Sequence, residues 1–370
     1  MKSKQVHLGD LFRSRKESGE AELPVVSVTM NDGLVHRNTL DRKNDGKLIP
    51  EAHLLIRKGD IVYNMMRMWQ GALGLADCDG MVSPAYVVLA PKDGIDPLFA
   101  SYWFKSSRMI YLFWAYSYGI TSDRLRLYYK DFAKIPVTVL PKSEQEKIAK
   151  ILATMDRVIG QTEKLIAAKR KLKKGLAQQL LTGKRRLPGF EKPWRIESLK
   201  SLCSIVYGKS QKDIISETGH IPIYGTGGVV GSASKALHPG PAVILGRKGS
   251  IDRPFLVMTP FWAIDTAFYV VPERIVSVQW LYQKFLTIGW RRYNEASGVP
   301  SLSRETINGI HVNTPDHIEQ ECIAAVLGTI DQEVTLLEKK LVSLRELKKG
   351  FMQKLLTGQV RVNCKSRETS

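Results

Sequence analysis

The sequence predicts an α+β protein: two mixed α/β domains separated by two long helices whose coiled-coil seams can pair within the chain, arranged as a pseudo-twofold internal repeat. Three observations predict it. The segment at 143–183 recurs at 318–358, offset by 175 residues without a gap and with about half of its positions identical. Both copies carry apolar residues at alternating four- and three-residue spacings. The remainder falls into short Val/Ile/Tyr runs punctuated by Gly and Pro, the pattern of irregular sheets.

At 370 residues the chain is too long for one ordinary core. The repeat sets the expected boundaries: a first domain at 1–140, a first spacer helix at 141–187, a second domain at 188–313, a second spacer helix at 314–358 and a tail at 359–370. Lys and Arg number 55 against 36 Asp and Glu, a formal charge of +19, so a polyanion is the natural partner, although charge alone also fits a merely soluble basic protein. Cys78, Cys203, Cys322 and Cys364 are far apart and form no C-x-x-C, which suggests neither a zinc site nor a disulfide framework and fits a reducing cytoplasm. The N-terminus lacks an apolar core of signal-peptide length, and no run long enough to span a bilayer occurs, so no membrane role is expected.

In the first domain the loop MMRMWQG (65–71), preceded by Asn64, is the first candidate contact surface. Arg67 is a bidentate donor, Trp69 a flat face and Gln70 an amide, the side-chain types that read bases or grip phosphates; a surface turn with incidental charge is the alternative. A helical aromatic stretch (99–119) and the basic loop TSDRLR (121–126), with Ser122, Arg124 and Arg126, follow.

The first spacer helix begins after Pro141, contains no internal proline and ends at Gly183. Its seam is Ile148, Leu152, Met155, Ile159 and Ile166, weakened by Thr162, Lys169 and Lys173. At a rise of about 1.5 Å per residue such a helix spans on the order of 58 Å. A helix buried in a bundle shares this periodicity; the length favours a rod. Eight basic residues and no acid occupy 169–186, which fits either a solvated face or contact with a DNA backbone.

The second domain faintly repeats the first. Gly59-Asp-Ile-Val62 and Arg67 parallel Gly240-Pro-Ala-Val243 and Lys248, and 74–89 parallels 256–271. Its candidate loop is LGRKGS (245–250), where Arg247 and Lys248 lie between glycines that permit close approach to a backbone, with Ser250 at its end and Tyr224 opening a nearby turn. The loop PSLSRE (300–305) adds Ser301, Ser303 and Arg304. The second spacer helix follows Pro315 and ends at Gly358, with Ile323, Leu327, Ile330, Val334, Leu337, Leu341, Leu344, Phe351 and Leu355 in its seam, interrupted at Lys348.

Catalytic motifs are not found. YGTGGVVG (224–231) has G-x-G-x-x-x-G spacing with no long helix after it, so it reads as a turn; SPAY (83–86) lacks the leading amide or acid and the second proline of an amino-methyltransferase signature. Neither a P-loop nor H-E-x-x-H is present, and the histidines are scattered.

EQEKIA (144–149) and EQECIA (319–324) near the helix starts, L-K-K-G-x-x-Q-x-L-L-T-G at both ends and GVPSLSRETINGIHV (298–312) together resemble the specificity subunit of type I restriction-modification systems, across essentially the whole chain. The first domain departs from the pattern, with GITSDRLRLYYKDFAKIPV (119–137) before its long helix. The resemblance implies two target recognition domains, each reading one half of an interrupted double-stranded DNA sequence, with the two long helices pairing as an antiparallel coiled coil that serves as spacer and docks the partner subunits. It implies two modification subunits that bind S-adenosylmethionine, and restriction subunits that use ATP and Mg2+; this chain would bind no cofactor and catalyse nothing itself. A stand-alone DNA-binding regulator and a bifunctional enzyme are the rival readings.

Overall fold

A computed structural model describes residues 4–39, 49–121 and 124–362 and divides the chain into two compact units, one formed by 1–161 with 341–370 and the other by 162–340. Ser122 and Cys364 lie outside the described residues. Both 39-residue helices, Lys142–Leu180 and His317–Leu355, cross the division, so each unit contains a piece of each helix.

The first unit is built on a four-stranded antiparallel sheet with Phe12–Arg15, Tyr86–Pro91, Ile61–Asn64 and Leu73–Leu75 in that order. A separate ribbon pairs Lys4–His7 with Pro136–Val139, the strand leading into the long helix. One face of the sheet packs against the helices Pro97–Trp103 and Ser107–Ala115 around Phe12, Tyr63, Phe99, Phe104, Phe113 and Phe132. Phe104 and Phe113 meet edge to face at 5.3 Å.

The second unit repeats this plan. Its sheet orders Cys203–Tyr207, Ala267–Pro272, Ala242–Gly246 and Phe255–Val257, and its ribbon pairs Arg195–Ser198 with His311–Thr314. The core gathers Phe268, Trp280, Phe285 and Trp290, with helix Val278–Thr287 in the place of Pro97–Trp103. The faint sequence likeness therefore reflects a shared topology. A sheet requires apolar residues on alternate positions and tolerates many identities there, so topology outlasts sequence.

Within each unit the two helix segments run antiparallel. In the first unit Ile148, Ala149 and Leu152 share a core with Leu355 and Leu356, while Asp156 meets Lys348; in the second, Ala177, Leu180 and Leu181 share a core with Ile323, Ala324 and Leu327, while Lys173 meets Asp331. The lysines that interrupt the seam, Lys169, Lys173 and Lys348, form ion pairs. Asp156 accepts from Lys348 Nζ at 2.5 Å and from the Tyr102 hydroxyl at 2.7 Å; Asp331 accepts from Lys173 Nζ at 2.7 Å and from Gln283 Nε2 at 3.0 Å. These partners stand at equal places in the repeat. Each aspartate thus fastens one long helix to the other and to the helix of its own unit.

The seam drifts near its end. Phe351 is 37% exposed, whereas Met352 and Leu355 turn toward the core, because a helix of 3.6 residues per turn falls out of phase with a strict 3.5-residue repeat. The basic run also differs from a uniformly solvated or DNA-facing strip: Lys169, Arg170, Lys173 and Arg186 pair with Glu333, Glu338, Asp331 and Glu319.

Both helices end at LLTG, with Gly183 at φ 75° and Gly358 at φ 73°. The amides of Arg185 and Val360 bond back to the carbonyls of Gln179 and Lys354, one residue beyond the usual 6→1 closure over a left-handed glycine. Buried Lys284 donates to Leu181 O at 2.6 Å at one of these ends, and burial lowers its ammonium to about 8.

The E-Q pair of each repeat is buried at the helix start. Glu144 receives Arg361 bidentately, Nε to Oε1 at 2.8 Å and Nη2 to Oε2 at 2.7 Å; Glu319 receives Arg186 in the same way at 2.6 and 2.7 Å. Gln145 Oε1 accepts the Asp96 amide and its Nε2 donates to Leu140 O, while Gln320 Oε1 accepts the Ser277 amide and its Nε2 donates to Pro315 O.

The Arg361 guanidinium, opposed by burial, holds the Glu144 carboxyl below its ordinary range. Its contribution to stability is therefore complete above the unfolded glutamate value of about 4.3 and lost as pH falls through the lower folded value. Arg361→Ala strands a buried carboxylate and should destabilise the protein by about 2 to 3 kcal/mol at neutral pH. Urea unfolding should show the gap from wild type narrowing as the solution is acidified below about pH 5; a gap independent of pH would place the stabilisation elsewhere.

Candidate nucleic-acid interface

Each unit carries a loop at the end of its inner strand, and the local sequence explains its shape. In the first unit strand Ile61–Asn64 ends where Asn64 Oδ1 accepts the Met66 amide at 2.9 Å, and a single 3-10 turn, Met68–Gln70, follows. Met68 is fully buried and anchors the turn; Gly71, at φ 87°, closes it by donating to Met68 O. Arg67 is left exposed, with Nη1 bonded to Gln70 Oε1 at 2.9 Å. The indole of Trp69 donates to Met66 O at 3.0 Å, so its one donor is engaged and its half-exposed face remains.

The basic loop before the long helix lies beside this turn, because the Leu127 amide donates to Met65 O at 2.9 Å and the Tyr63 hydroxyl to Leu127 O at 3.2 Å. Arg126 pairs backbone to backbone with Tyr118, and both Arg124 and Arg126 are exposed. Sequence reasoning missed the rings around them. Tyr118 and Tyr128 lie 5.8 Å apart, Lys130 sits 5.8 Å over Tyr118, and Tyr111 and Trp114 are exposed on the helix that packs against the 3-10 turn. The aromatic richness of 99–119 is visible in the sequence; which of its rings face outward is not.

The second unit repeats the juxtaposition. Strand Ala242–Gly246 leads into Arg247–Ser250, and this loop is laced to 300–302: Gly249 N donates to Pro300 O at 2.8 Å, Leu302 N to Arg247 O at 2.9 Å, and Lys248 forms a bridge with Ser301. Arg247 Nη1 donates to Asp265 O at 3.2 Å; Lys248 and Arg304 are exposed. The Ser301 amide is held by Asn294 Oδ1 at 2.8 Å, and Ser250 is half-buried.

Two of the candidates have structural duties. Ser303 is the N-cap of the short helix Arg304–Asn308, accepting the Thr306 amide at 3.1 Å and donating to Thr306 Oγ1 at 3.0 Å. Tyr224 is half-buried between Phe255 and Phe261, at 6.4 and 6.3 Å. Among the described residues no cluster of His, Cys, Asp and Glu has the grouping of a metal site, and no helix is long and apolar enough to cross a membrane.

Two units of one topology, each presenting a laced pair of basic loops, define a duplicated binding scaffold. The model of the type I restriction modification DNA specificity domain matches residues 5–169 and 191–346, and the chain belongs to that family. It is 22% identical over 277 residues to the type I restriction enzyme MjaVIII specificity subunit of Methanocaldococcus jannaschii, a match that spans 63% of this chain and 64% of that protein. The fold is similar to the crystal structure of the type I restriction-modification S subunit from M. genitalium, with a TM-score of 0.64, 21% identity and 96% of each chain covered. It is also similar to the HsdS subunit from Thermoanaerobacter tengcongensis, with a TM-score of 0.52, 18% identity and 97% of each chain covered.

The loop after Ala242–Gly246 depends on a glycine. A Cβ at Gly246 would stand 2.1 Å from Ser250 O, a backbone atom that cannot move alone. Gly246→Ala should cost about 1 to 3 kcal/mol in urea unfolding, while Gly227→Ala, where nothing lies within 4 Å of the added atom, should stay within about 0.5 kcal/mol. Limited trypsin digestion should cut faster after Arg247 or Lys248 in the Gly246 variant; an unaltered cleavage rate would show that the loop keeps its shape without the glycine.

Proposed function

We propose that the chain is the DNA sequence-specificity subunit of a type I restriction-modification complex in the cytoplasm. The two units act as target recognition domains, each reading one half of an interrupted double-stranded DNA target. The long helices set the spacing between the readers and dock two modification subunits; restriction subunits join for cleavage. S-adenosylmethionine, ATP and Mg2+ belong to those partners, and this chain contributes recognition without catalysis.

The observation that carries this reading is the recurrence of one device in both units: a basic loop after the inner strand, laced to a second basic loop that precedes the ribbon strand leading into a long helix. Arginine, lysine, amide and aromatic side chains in such loops suit base edges and phosphates, and the chain's charge of +19 supports association with a polyanion. Asn64, Arg67, Trp69, Gln70, Arg124 and Arg126 would serve one half of the target; Arg247, Lys248, Ser250, Ser301 and Arg304 would serve the other. Ser122 retains its candidacy from sequence only, and Ser303 and Tyr224 would act through the shape of their surroundings.

Exchanging residues 188–313 for the equivalent region of another family member should change one half of the target and leave the other intact, read by mapping methylated sites in cells. Change in both halves would refute the assignment of one reader to each unit. Arg67→Ala should relax discrimination only in the half read by the first unit, by about 1 to 3 kcal/mol against mismatched duplexes. Discrimination unchanged across a salt series, with the fold intact, would return 65–71 to an ordinary surface turn.

A further inference from the structure

In the second unit one tyrosine gathers two of the basic residues, and it belongs to neither loop. Tyr207 ends the edge strand Cys203–Tyr207, pairs with Phe268 across the sheet and rests its ring 5.0 Å from that buried phenyl group. The backbone just beyond is pressed onto the neighbouring chain: a Cβ at Gly208 would stand 2.0 Å from Ile264 O. The strand end, and with it the ring, is therefore held from both sides. Tyr207 is still 38% exposed, and over its ring lie the guanidinium carbons of Arg247 at 5.0 Å and Arg304 at 5.4 Å.

We infer that Tyr207 is a positioning residue that holds Arg247 and Arg304 as a two-guanidinium clamp for the phosphodiester backbone of bound DNA. This rests on the DNA-reading role proposed above. Both guanidinium groups stand within cation–π range of one ring, which restrains long side chains that would otherwise lose much freedom on gripping a ligand. Their charge is poorly compensated. Arg247 has a carbonyl partner, Asp265 O, and Arg304 has the exposed carboxylate of its neighbour Glu305 at 3.6 Å. Lys248, bridged to Ser301, adds a third cation beside them. Two cations held near one ring repel each other, and a phosphate between or across them relieves that repulsion while accepting from both forks. Among the described residues the first unit has no counterpart at this place, because the corresponding strand, Phe12–Arg15, is followed by Lys16, which has no ring to offer.

The test measures binding of the full-length protein to labelled mixed-sequence duplexes between about 50 and 200 mM salt. Tyr207→Leu should weaken binding to all sequences alike by about fivefold or more, as expected when both guanidinium groups are deprived of the ring beneath them. It should also reduce the slope of log affinity against log salt by about 1 for each phosphate that is no longer gripped. Tyr207→Phe keeps the ring and should restore both quantities. Arg247→Ala with Arg304→Ala, which leaves the ring in its packing, should lose the same slope, and adding Tyr207→Leu to that pair should change little.

Wild-type affinity and slope in Tyr207→Leu or in the arginine pair would overturn the proposal. So would a loss restricted to one base position with the slope unchanged, because the arginines would then be reading bases. If the wild-type protein retains no duplex even at low salt, the DNA-binding role itself fails; if wild type binds and the variants bind equally, the clamp alone fails.

Discussion

The fold depends on a buried carboxylate clamped by an arginine at the point where each long helix begins. Glu144 and Glu319 are 3% and 1% exposed, and neither could be buried charged without a partner that satisfies both oxygens. Arg361 and Arg186 do so bidentately, and each arginine comes from the chain just past the LLTG end of the other helix. The clamp therefore fixes where one helix stops relative to where the other starts. The adjacent glutamine fastens the same helix turn to its unit through the amide of Asp96 or Ser277, at the head of the helix Pro97–Trp103 or Val278–Thr287. In the first unit this joins residues from the two ends of the sequence into one body.

The aspartate nodes extend this logic along the helices. A lysine in a helix seam costs stability when unpaired, and here it faces an aspartate that a tyrosine or a glutamine of the unit also binds. Such a polar node selects one register, since sliding either helix by a turn would strand the charges. Both clamp and node are kept across the duplication while the exposed loops differ: Arg67 with its Gln70 partner in one unit, Lys248 beside the ring-held Arg247 in the other. Geometry common to both units has been retained where helices meet, and chemistry has diverged where a ligand would be touched.

Much of this was legible in the sequence, and the reasons are local. Proline before each helix, glycine after it and a heptad-like pattern between them reveal helices of the observed length. The two pairs of loops could be named because strands with turn residues between them are recognisable. The readings that changed are those that hinge on a distant partner. The run at 169–186 looked uniformly basic, yet four of its charges pair with acids more than 100 residues away. Ser303 and Tyr224, chosen for their side chains, also serve locally as a helix cap and as part of an aromatic cluster.

By itself the sequence determined the duplication, the two long helices with their stops, the α+β class and the excess of positive charge, because each is written in spacing and composition along the chain. The tertiary structure alone decided which lysines are seam pairs, which rings face outward and which loops lie side by side. Met65 meets Leu127, Gly249 meets Pro300, and Tyr207 meets Arg247 and Arg304 only after the sheet has closed. Those contacts join residues far apart in the chain through the pairing of strands, and no local pattern specifies which distant residue will arrive.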